Sequence, residues 1–578
     1  MKKIMKFCCA VTLVVMAAMP VQAQWSTSPK VNTELLTHVY WNVEVQPTSD
    51  GGFFLLGVGP DNNLNLVTPV LYYFDKDGIN AWNDSIKFKT DSTLTWTKVM
   101  SHLYVDKDDN AIVIHEMLCD GNIPRGQEKY VAWKVDKAGK QLWGEDGVDL
   151  HNGECPDDQF VAAIRVTQLE SGNYIFCWMG DQTVLQNVSA DGKCQWDSGK
   201  RIETGAYPHV VDAGDGDVMI VYELSGLNVR RIDFEGNTIW DVKAFSGQLN
   251  PQIPSWTYVQ VVPIEDPQGR GVLIGYYGFI GDDEFHPYIS YVKADGTHAF
   301  PDADAGLRVN YSDHWGMAPS LAYDKDNKVI YAIFQEREVG SQFVQRIVTQ
   351  KISEEGELLW GNEGKELIPL KERTTGYQSV AMGPNGTVMF GFMENIGVGI
   401  AANDPIAIKA AYMKPNGDFV WEDKVKFVCS YESTKYNLEL LPYSEEQWIF
   451  VWEDNRNIAG MDGSMFAQNL YRDGSMGPDA PEIDPTATEK LKVAESALRV
   501  TPNPVRENTY IRYMAQQDED VRIDLIASNG MMVPVYEGRM SAGENTINWT
   551  RPASVAPGLY VLQLTSGNNT ASVKIVLQ

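Results

Sequence analysis

A short pattern ending in a glycine and an aromatic residue recurs eight times along this 578-residue chain. Each copy begins with an apolar residue and passes through a polar turn to a Gly; seven copies carry Trp or Phe four residues later, as in Phe74–Trp82. This pattern predicts a β-hairpin, because Gly adopts the positive φ that a tight turn requires. The eight glycines, 44 to 61 residues apart, are Gly78, Gly139, Gly192, Gly236, Gly296, Gly356, Gly417 and Gly474.

A second predicted hairpin precedes each of these glycine hairpins. Leu103–Ile114 and Leu321–Ile333 are two examples, each with a polar turn between two apolar runs. Two hairpins make a four-stranded unit, and no helical periodicity separates the units. We therefore predict an all-β fold, an eight-bladed β-propeller with four-stranded blades over residues 24–476. A solenoid is the alternative, but it needs shorter units.

The eighth copy of the pattern lacks its aromatic residue. The segment 24–31, which contains Trp25, resembles the missing outer strand. We therefore expect the N-terminal strand to pair into the last blade, because such a closure removes the free strand edges of an open ring.

The Gly-to-Trp spacing of four resembles the tryptophan-docking motif of eight-bladed quinoprotein-type propellers. It differs from the sialidase Asp box, in which Gly and Trp are three residues apart. The resemblance implies that each Trp packs against the neighbouring blade. It does not imply the quinone cofactor, since the adjacent-cysteine ring and calcium site of those enzymes are not visible in the mature sequence.

The N-terminus has the features of a secretory signal peptide. Three lysines precede an apolar run over residues 7–19, and small residues precede a cleavage position after Ala23. A membrane anchor is the alternative, but the run is short for a bilayer, and we expect no transmembrane segment. Removing residues 1–23 changes the net charge from −29 to −32, because this segment holds three lysines and no acidic residue. Such acidity argues against nucleic-acid binding.

Residues 477–496 are rich in proline and acidic residues and are interpreted as a linker. Residues 497–578 alternate as the strands of a small immunoglobulin-like β-sandwich do. Several short motifs occur there in order, and their named positions are Pro502, Asn503, Pro504, Gly530, Gly558, Tyr560 and Lys574. The set resembles the type A sorting domain of the type IX secretion system of Gram-negative bacteria. The alternative is a plain immunoglobulin-like module.

The sorting resemblance implies passage through the periplasm, contact with the outer-membrane secretion machinery, and a final location at the cell surface or outside the cell. In that family the domain is commonly cleaved, and the cargo is released or attached to surface lipopolysaccharide.

The sequence offers no catalytic motif and predicts no metal or cofactor. The eight histidines lack zinc-binding spacings, and neither a GxSxG elbow nor a phosphate-binding loop is present. The five cysteines of the mature chain are expected to be mainly buried thiols. Loops such as Asp75–Gly78 resemble calcium loops but are better explained as turns. Acidic residues that recur at the ends of second strands are interpreted as structural: Glu116, Glu223, Glu336, Glu394 and Glu453.

Two features could form a ligand surface. An aromatic residue starts most first strands and could line the channel mouth or pack between blades: Trp41, Trp96, Phe160, Trp256, Tyr377 and Tyr436. A loop of the fifth unit and the loop that follows it break the repeat and could form an aromatic patch or pack on themselves. The predicted ligand-binding residues are Tyr276, Tyr277, Phe279, Phe285, His286, Tyr288, His314, Trp315 and Trp256.

Three classes of function remain open from the sequence. The first is an exported binding module for a glycan or a protein, with no assigned catalytic residue. The second is a carbohydrate-active hydrolase or lyase on the same fold. The third is a structural component of the cell envelope.

Overall fold

The structure is a computed structural model in which residues 25–578 are described, with gaps. The positions left out are 40, 61–66, 90–95, 99–100, 120–126, 155–163, 180–181, 198, 203–204, 250–259, 267–268, 280–284, 302–305, 398–403, 457–462, 479–497, 516, 528–531 and 567–568. Contacts divide the chain into two compact units, Met1–Pro481 and Glu482–Gln578. The described residues of both units are almost entirely β-strands and turns, with one turn of 3₁₀ helix at Pro384–Gly386.

The first half of unit one forms four antiparallel meander sheets. In one of them the first strand is split into two segments, which both pair with the next strand. The strand β1 (Thr33–Val39) precedes them and belongs to the last sheet of the unit. Sheet I contains β2 (Trp41–Pro47), β3 (Phe53–Pro60), β4 (Val67–Phe74) and β5 (Ile86–Lys87). Sheet II contains β6 (Trp96–Lys98), β7 (Ser101–Val105), β8 (Ala111–Cys119), β9 (Gln127–Val135) and β10 (Val148–Glu154). Sheet III contains β11 (Arg165–Gln168), β12 (Tyr174–Met179), β13 (Thr183–Val188) and β14 (Lys200–Ile202). Sheet IV contains β15 (Ala206–Gly214), β16 (Asp217–Glu223), β17 (Leu227–Ile232) and β18 (Thr238–Phe245).

The second half repeats this arrangement. Sheet V contains β19 (Gln248–Leu249), β20 (Gln260–Asp266), β21 (Gly269–Phe279), β22 (His286–Val292) and β23 (Leu307–Arg308). Sheet VI contains β24 (Trp315–Gly316), β25 (Ser320–Asp324), β26 (Val329–Arg337), β27 (Val344–Ser353) and β28 (Lys365–Glu372). Sheet VII contains β29 (Thr375–Met382), β30 (Val388–Asn395), β31 (Ile406–Met413) and β32 (Val425–Cys429). Sheet VIII contains β33 (Lys435–Leu440), β34 (Gln447–Asp454), β35 (Gly463–Tyr471) and β1. Repeated four-stranded meanders of this kind are the arrangement of a β-propeller.

The first strand of the chain completes the last sheet of the unit. β1 runs antiparallel to β35, with Thr33 opposite Ala467 and Val39 opposite Gly463. This is the pairing that the sequence predicts for the N-terminal segment, but the strand occupies residues 33–39 rather than 24–31. Trp25 lies before this strand, and its ring contacts the glycine hairpin of sheet I.

Aromatic rings join most sheets to the next one. In six of the described hairpins, the nearest side chain to the motif glycine is the aromatic ring of the preceding unit. The pairs are Trp25 with Gly78, Trp82 with Gly139, Trp143 with Gly192, Trp240 with Gly296, Phe300 with Gly356, and Trp360 with Gly417. Burial of a ring between two sheets supplies most of the free energy of their contact.

Hydrogen bonds fix the orientation of four of these indoles. Each indole N–H donates to the carbonyl two residues before the glycine of the next hairpin. The bonds are Trp25 to Lys76 (3.2 Å), Trp82 to Lys137 (2.8 Å), Trp143 to Ala190 (3.1 Å) and Trp421 to Arg472 (2.9 Å). Trp25 therefore fills the aromatic position that the eighth copy of the pattern lacks, on the hairpin of sheet I.

Gly78 is required where Trp25 docks. Its φ is +72°, and a Cβ at this position would lie 2.6 Å from the Trp25 ring. A side chain would be strained there and would also displace the ring.

Unit two contains two antiparallel sheets. The first pairs β36 (Leu498–Thr501), β37 (Asn508–Ala515) and β40 (Gly543–Thr550). The second pairs, in the order given, β39 (Met532–Met540), β38 (Glu519–Ala527), β41 (Gly558–Ser566) and β42 (Asn569–Leu577). Residues of both sheets share one buried cluster that includes Ile511, Trp549 and Leu562.

We expect Trp25→Ala to lower the free energy of unfolding of unit one by about 3–5 kcal/mol, because the ring is 3% exposed and its removal leaves a cavity at the closure. Urea unfolding followed by tryptophan fluorescence measures this loss. Trp196→Ala is the matched control, since Trp196 is only half-buried and the Cβ position of Gly236 faces Lys200 instead of a ring. An equal loss in both variants would contradict the closing role of Trp25.

Candidate functional site

Four of the predicted ligand-binding side chains lie in the protein core. Tyr276 is fully buried; its ring centroid lies 4.7 Å from that of Phe245 and 6.0 Å from that of Tyr288. Tyr277 and His286 are also buried. Tyr276 and Tyr288 pack against residues of sheet IV, and Tyr277 contacts Phe285 instead. All four are buried because the strands β21 and β22 extend into the segment that the sequence suggests is a loop. Almost none of their surface is left for a ligand.

The other predicted residues form a smaller contact. Phe285 meets Trp315 edge to face at 6.3 Å, and the N–H of Gly316 donates to the Phe285 carbonyl at 2.7 Å. Phe285, Trp315 and His314 are half-buried, whereas Tyr311 is 53% exposed. The structure thus brings the two loops together through one pair of rings. Trp256 and the side chain of Phe279 lie outside the described residues.

The recurrent acidic residues at second-strand ends have structural partners. The buried Glu336 carboxylate pairs with Arg346 (2.6 Å) and accepts bonds from Asn310 and Ser312. Buried Glu394 pairs with Arg373 and, at 2.6 Å, with Lys409. Each of these carboxylates is compensated by a cationic partner, and Glu394 also lies in the wall of the cavity described below.

The calcium-like loops are turns. Asp75 Oδ1 accepts the N–H groups of Asp77 (3.0 Å) and Ile79 (2.9 Å), which is the bonding of an Asx turn. Among the described side chains, no group of three or more His, Cys, Asp and Glu residues is arranged to hold a metal ion. Cys177 and Cys429 are buried, and Cys194 is exposed.

The first strands of the eight sheets carry a row of polar residues at one height. In every sheet, the apolar residue that starts the glycine hairpin pairs with one residue of the second strand. The row residue pairs with the second-strand residue three positions further along the chain, as Glu44 does with Leu56. We call the set the inner-strand row: Glu44, His102, Arg165, His209, Gln260, Ser320, Ser379 and Glu439. None of its members is buried, whereas most of the residues that follow them are. Sequence reasoning did not identify this row.

Two members of the inner-strand row connect neighbouring sheets. The amide of Gln260 bonds both backbone groups of Leu321, accepting from its N–H (2.6 Å) and donating to its carbonyl (3.3 Å). Glu44 accepts the N–H of Leu103 at 2.7 Å and pairs with His102 Nδ1 at 2.9 Å. These bonds satisfy backbone groups of the next inner strand, so part of the row is structural.

The ionisable members of the row interact across sheets that are not neighbours. Burial would raise the pKa of Glu44, but His102 and the more distant Arg165 hold it below the usual value. Burial lowers the pKa of His209 well below its usual value, and the charges of Arg165 and His102 lower it further. Glu44 belongs to sheet I and Arg165 to sheet III, so these side chains converge on the channel that the first strands enclose.

Glu439 carries the opposite shift. Solvent reaches its carboxyl group, yet enclosure by the surrounding protein raises its pKa to about 7, and the nearby charge of Glu44 adds to this effect. The channel therefore holds one carboxyl group of raised pKa near one whose pKa is lowered.

A cavity of about 730 Å³ opens where the first strands of sheets VI, VII and VIII begin. Two exposed tyrosines lie in its wall, Tyr377 at the start of β29 and Tyr436 at the start of β33. Two charged residues, Glu394 and Lys435, also line the cavity. The amide and hydroxyl side chains around the tyrosines are Gln260, Ser320, Gln335, Thr375, Gln378, Asn395 and Asn437. Two of the aromatic residues predicted to line the channel mouth thus lie in the wall of one cavity, next to the inner-strand row.

Backbone strain accompanies this cavity. Tyr377 has a φ of +42° and Asn437 has a φ of +52°. Both values lie in the left-handed region, which residues other than glycine seldom adopt. Each lies in a register shift of the first strand, between Gly376 and Ser379 and between Tyr436 and Glu439. Such bulges redirect side chains and are frequent beside binding sites.

In unit two, the predicted sorting motif attaches the last strand of the chain. Asn503 donates from its side-chain amide to the Lys574 carbonyl (2.7 Å) and accepts from the N–H of Val576 (2.9 Å). Thr509 donates its hydroxyl to the Pro502 carbonyl at 2.9 Å, and buried Tyr560 donates to the Ala556 carbonyl at 2.9 Å. Gly558 begins β41, the Lys574 side chain is exposed, and Gly530 lies outside the described residues.

Residues 499–578 match the secretion system C-terminal sorting domain family. This match indicates export to the cell surface or the extracellular space. No curated protein sequence matches the chain. Among the residues with an assigned position, no helix is long and apolar enough to cross a membrane.

Solved structures with similar folds have low sequence identity. A polysaccharide lyase of family PL25, an ulvan lyase bound to an oligosaccharide, has a TM-score of 0.40 at 10% identity over 76% of this chain and 96% of that chain. The β-propeller domain of the Trilobed protease from Pyrococcus furiosus has 0.34 at 8% over 68% and 97%. An endo-arabinase from Bacteroides thetaiotaomicron has 0.27 at 12% over 46% and 93%. No TM-score here reaches 0.5, so the propeller assignment rests on the strand order and register described above.

We expect Glu439→Gln to become more stable relative to the wild type as the pH rises from 4 to 8. Between the usual pKa of 4.5 and the folded value of about 7, the folded wild type retains a proton that the unfolded chain has released, so its free energy of unfolding falls as pH rises. Glutamine removes this contribution. Urea unfolding at several pH values measures the difference. Glu355→Gln, at an exposed hairpin turn, is the control; a pH-independent difference for Glu439→Gln would disprove the assignment.

Proposed function

We propose that the protein is an exported eight-bladed β-propeller that binds a glycan at the mouth of its channel. The observation that carries the proposal is the cavity of about 730 Å³ with Tyr377 and Tyr436 in its wall and amide side chains around them. Tyrosine rings pack against the apolar faces of sugar rings, and planar amides bond sugar hydroxyls. The volume suits a small-molecule ligand or the end of a chain.

Two observations support a count of eight blades: the eight repeated sheets, and the aromatic docking that returns to the first hairpin. Trp421 bonds the hairpin of sheet VIII, and Trp25 bonds the hairpin of sheet I. We propose one closed ring over residues 24–476, preceded by a signal peptide at 1–23 and followed by a linker at 477–496.

We further propose that residues 497–578 form an immunoglobulin-like sorting domain that engages the secretion machinery of the outer membrane. Its two sheets and shared core support this assignment, as does the bonding of Asn503 to the last strand. The expected destination is the cell surface, with the outer membrane as the site of attachment or release.

A concave cavity favours a glycan over a protein partner. Protein interfaces bury large and fairly flat areas around central anchors, whereas this site places two rings within a concave pocket that also carries amide and hydroxyl groups. A protein ligand is therefore an alternative outcome of the binding test.

A carbohydrate-active hydrolase or lyase is the second candidate, and one observation favours it. Glu44 pairs with Nδ1 of His102, so Nε2 of the imidazole is left for a ligand in the channel. The raised pKa of Glu439 favours a protonated carboxyl group near neutral pH. A base oriented by a carboxylate and a nearby proton donor are the two groups that acid–base catalysis requires.

We expect Tyr377→Ala and Tyr436→Ala each to weaken binding of a retained glycan by about tenfold, roughly 1.4 kcal/mol, because each removes a stacking surface. A panel of polysaccharides and glycoproteins is screened with the purified protein by calorimetry, and products are measured in the same samples. Phe427→Ala is the control, since this exposed ring lies on the fourth strand of sheet VII.

Three results of this screen would change the proposal. Loss of binding in Trp315→Ala and Tyr311→Ala alone would move the site to the loop contact near Phe285. Products that disappear in His102→Asn while binding persists would establish the enzyme. Binding to proteins and to no glycan would establish the alternative partner.

We expect deletion of residues 497–578 to retain the protein inside the native host, because the sorting domain is lost. Immunoblots of surface, medium and periplasmic fractions measure delivery. Asn503→Ala should reduce delivery, since it frees the last strand, and Asn548→Ala, an exposed residue of β40, should not. Undiminished surface delivery of the deletion variant would refute the sorting role.

A further inference from the structure

Arg165 is a half-buried arginine of unit one that has no acidic partner among the described residues. Within that part of the chain, its Nη1 donates to the carbonyl of Ile164 at 2.7 Å. By contrast, Arg230 pairs with Asp241 (2.5 Å) and Arg270 pairs with Glu265 (2.9 Å).

The position of Arg165 directs this charge toward the channel. It belongs to the inner-strand row on β11, and its charge acts on both Glu44 of sheet I and His209 of sheet IV. The carboxylate of Glu44 is already bonded to His102 and to the N–H of Leu103, so it does not neutralise the guanidinium by direct contact.

Neighbouring groups can serve the same ligand. His209 Nε2 is buried and has no hydrogen-bond partner among the described residues. His102 is 18% exposed and uses only Nδ1 in its bond to Glu44. Two imidazoles and a guanidinium thus offer nitrogen atoms to one region of the channel. Arginine suits an oxyanion there, because its planar fork matches carboxylate and sulfate oxygens.

The opposite part of the row is neutral. Gln260 and Ser320 belong both to the row and to the wall of the tyrosine cavity. We expect a glycan held in the cavity to extend along the inner-strand row toward the charge of Arg165. In a mature chain of net charge −32, such a charge is a distinct point of attraction for an anion.

We propose that Arg165, with His102 and His209, forms an oxyanion site in the channel that selects acidic glycans, those bearing carboxylate or sulfate groups. The proposal rests on the proposed glycan-binding function and names the ligand class. Arg165 supplies the charge and the fork, and the imidazoles supply further hydrogen bonds. The cavity tyrosines hold the sugar ring irrespective of its charge.

The test titrates the purified full chain with three monosaccharides, D-glucuronate, galactose 6-sulfate and neutral glucose, by calorimetry. We expect at least one anionic sugar to bind about tenfold more tightly than glucose, and the tighter anion identifies carboxylate or sulfate as the preferred group. Arg165→Gln should abolish this preference and leave glucose binding unchanged. Arg230→Gln, on the third strand of sheet IV, is the matched control.

Equal binding of anionic and neutral sugars by the wild type would overturn the proposal, as would a preference that persists in Arg165→Gln. Should that variant unfold, Arg165→Lys keeps the charge but loses the fork, and an undiminished preference would again count against the site. Tyr377→Ala distinguishes the two hypotheses. It should weaken the binding of all three sugars. If it does not, the cavity is not the glycan site, and the Arg165 result still tests the oxyanion site independently.

Discussion

The docking of an aromatic ring onto the glycine hairpin of the next sheet is the contact on which the rest of unit one depends. It repeats around the unit and ends with Trp25 on Gly78, which joins the N-terminal segment to sheet I. The indole N–H fixes the ring by a backbone carbonyl, and the glycine provides the space. Each contact buries a large apolar surface, so the sheets hold one another without disulfides between the described cysteines.

This outer framework leaves the first strands free to carry different residues. Their side chains at one height include carboxylates, imidazoles, a guanidinium, an amide and hydroxyls, although the backbone pairing is the same in all eight sheets. The ionisable members occupy sheets VIII and I to IV, and the members that do not ionise occupy sheets V to VII. This division places an electrostatically distinct region beside the tyrosine cavity, which is the asymmetry that a specific ligand site on a repeated fold requires.

The predictions from sequence succeeded where the signal lies within a few residues. The glycine hairpins, the pairing of the N-terminal segment with sheet VIII and the sorting motif follow from turn chemistry and ordered short motifs. The aromatic loop was less informative, because Tyr276 and Tyr288 lie on strands that continue beyond the expected ends and pack in the core. Composition cannot distinguish an exposed aromatic loop from a buried strand.

The sequence by itself determined the repeat, the positions of the docking glycines and rings, and the export domain. Only the tertiary structure decided which side chains meet in the channel, since Glu44 and Glu439 come from opposite ends of unit one and interact there. The physical reason is register. A shift of one residue turns a strand's side chains to the other face, and bulges such as that between Tyr436 and Glu439 introduce such shifts without a sequence signature.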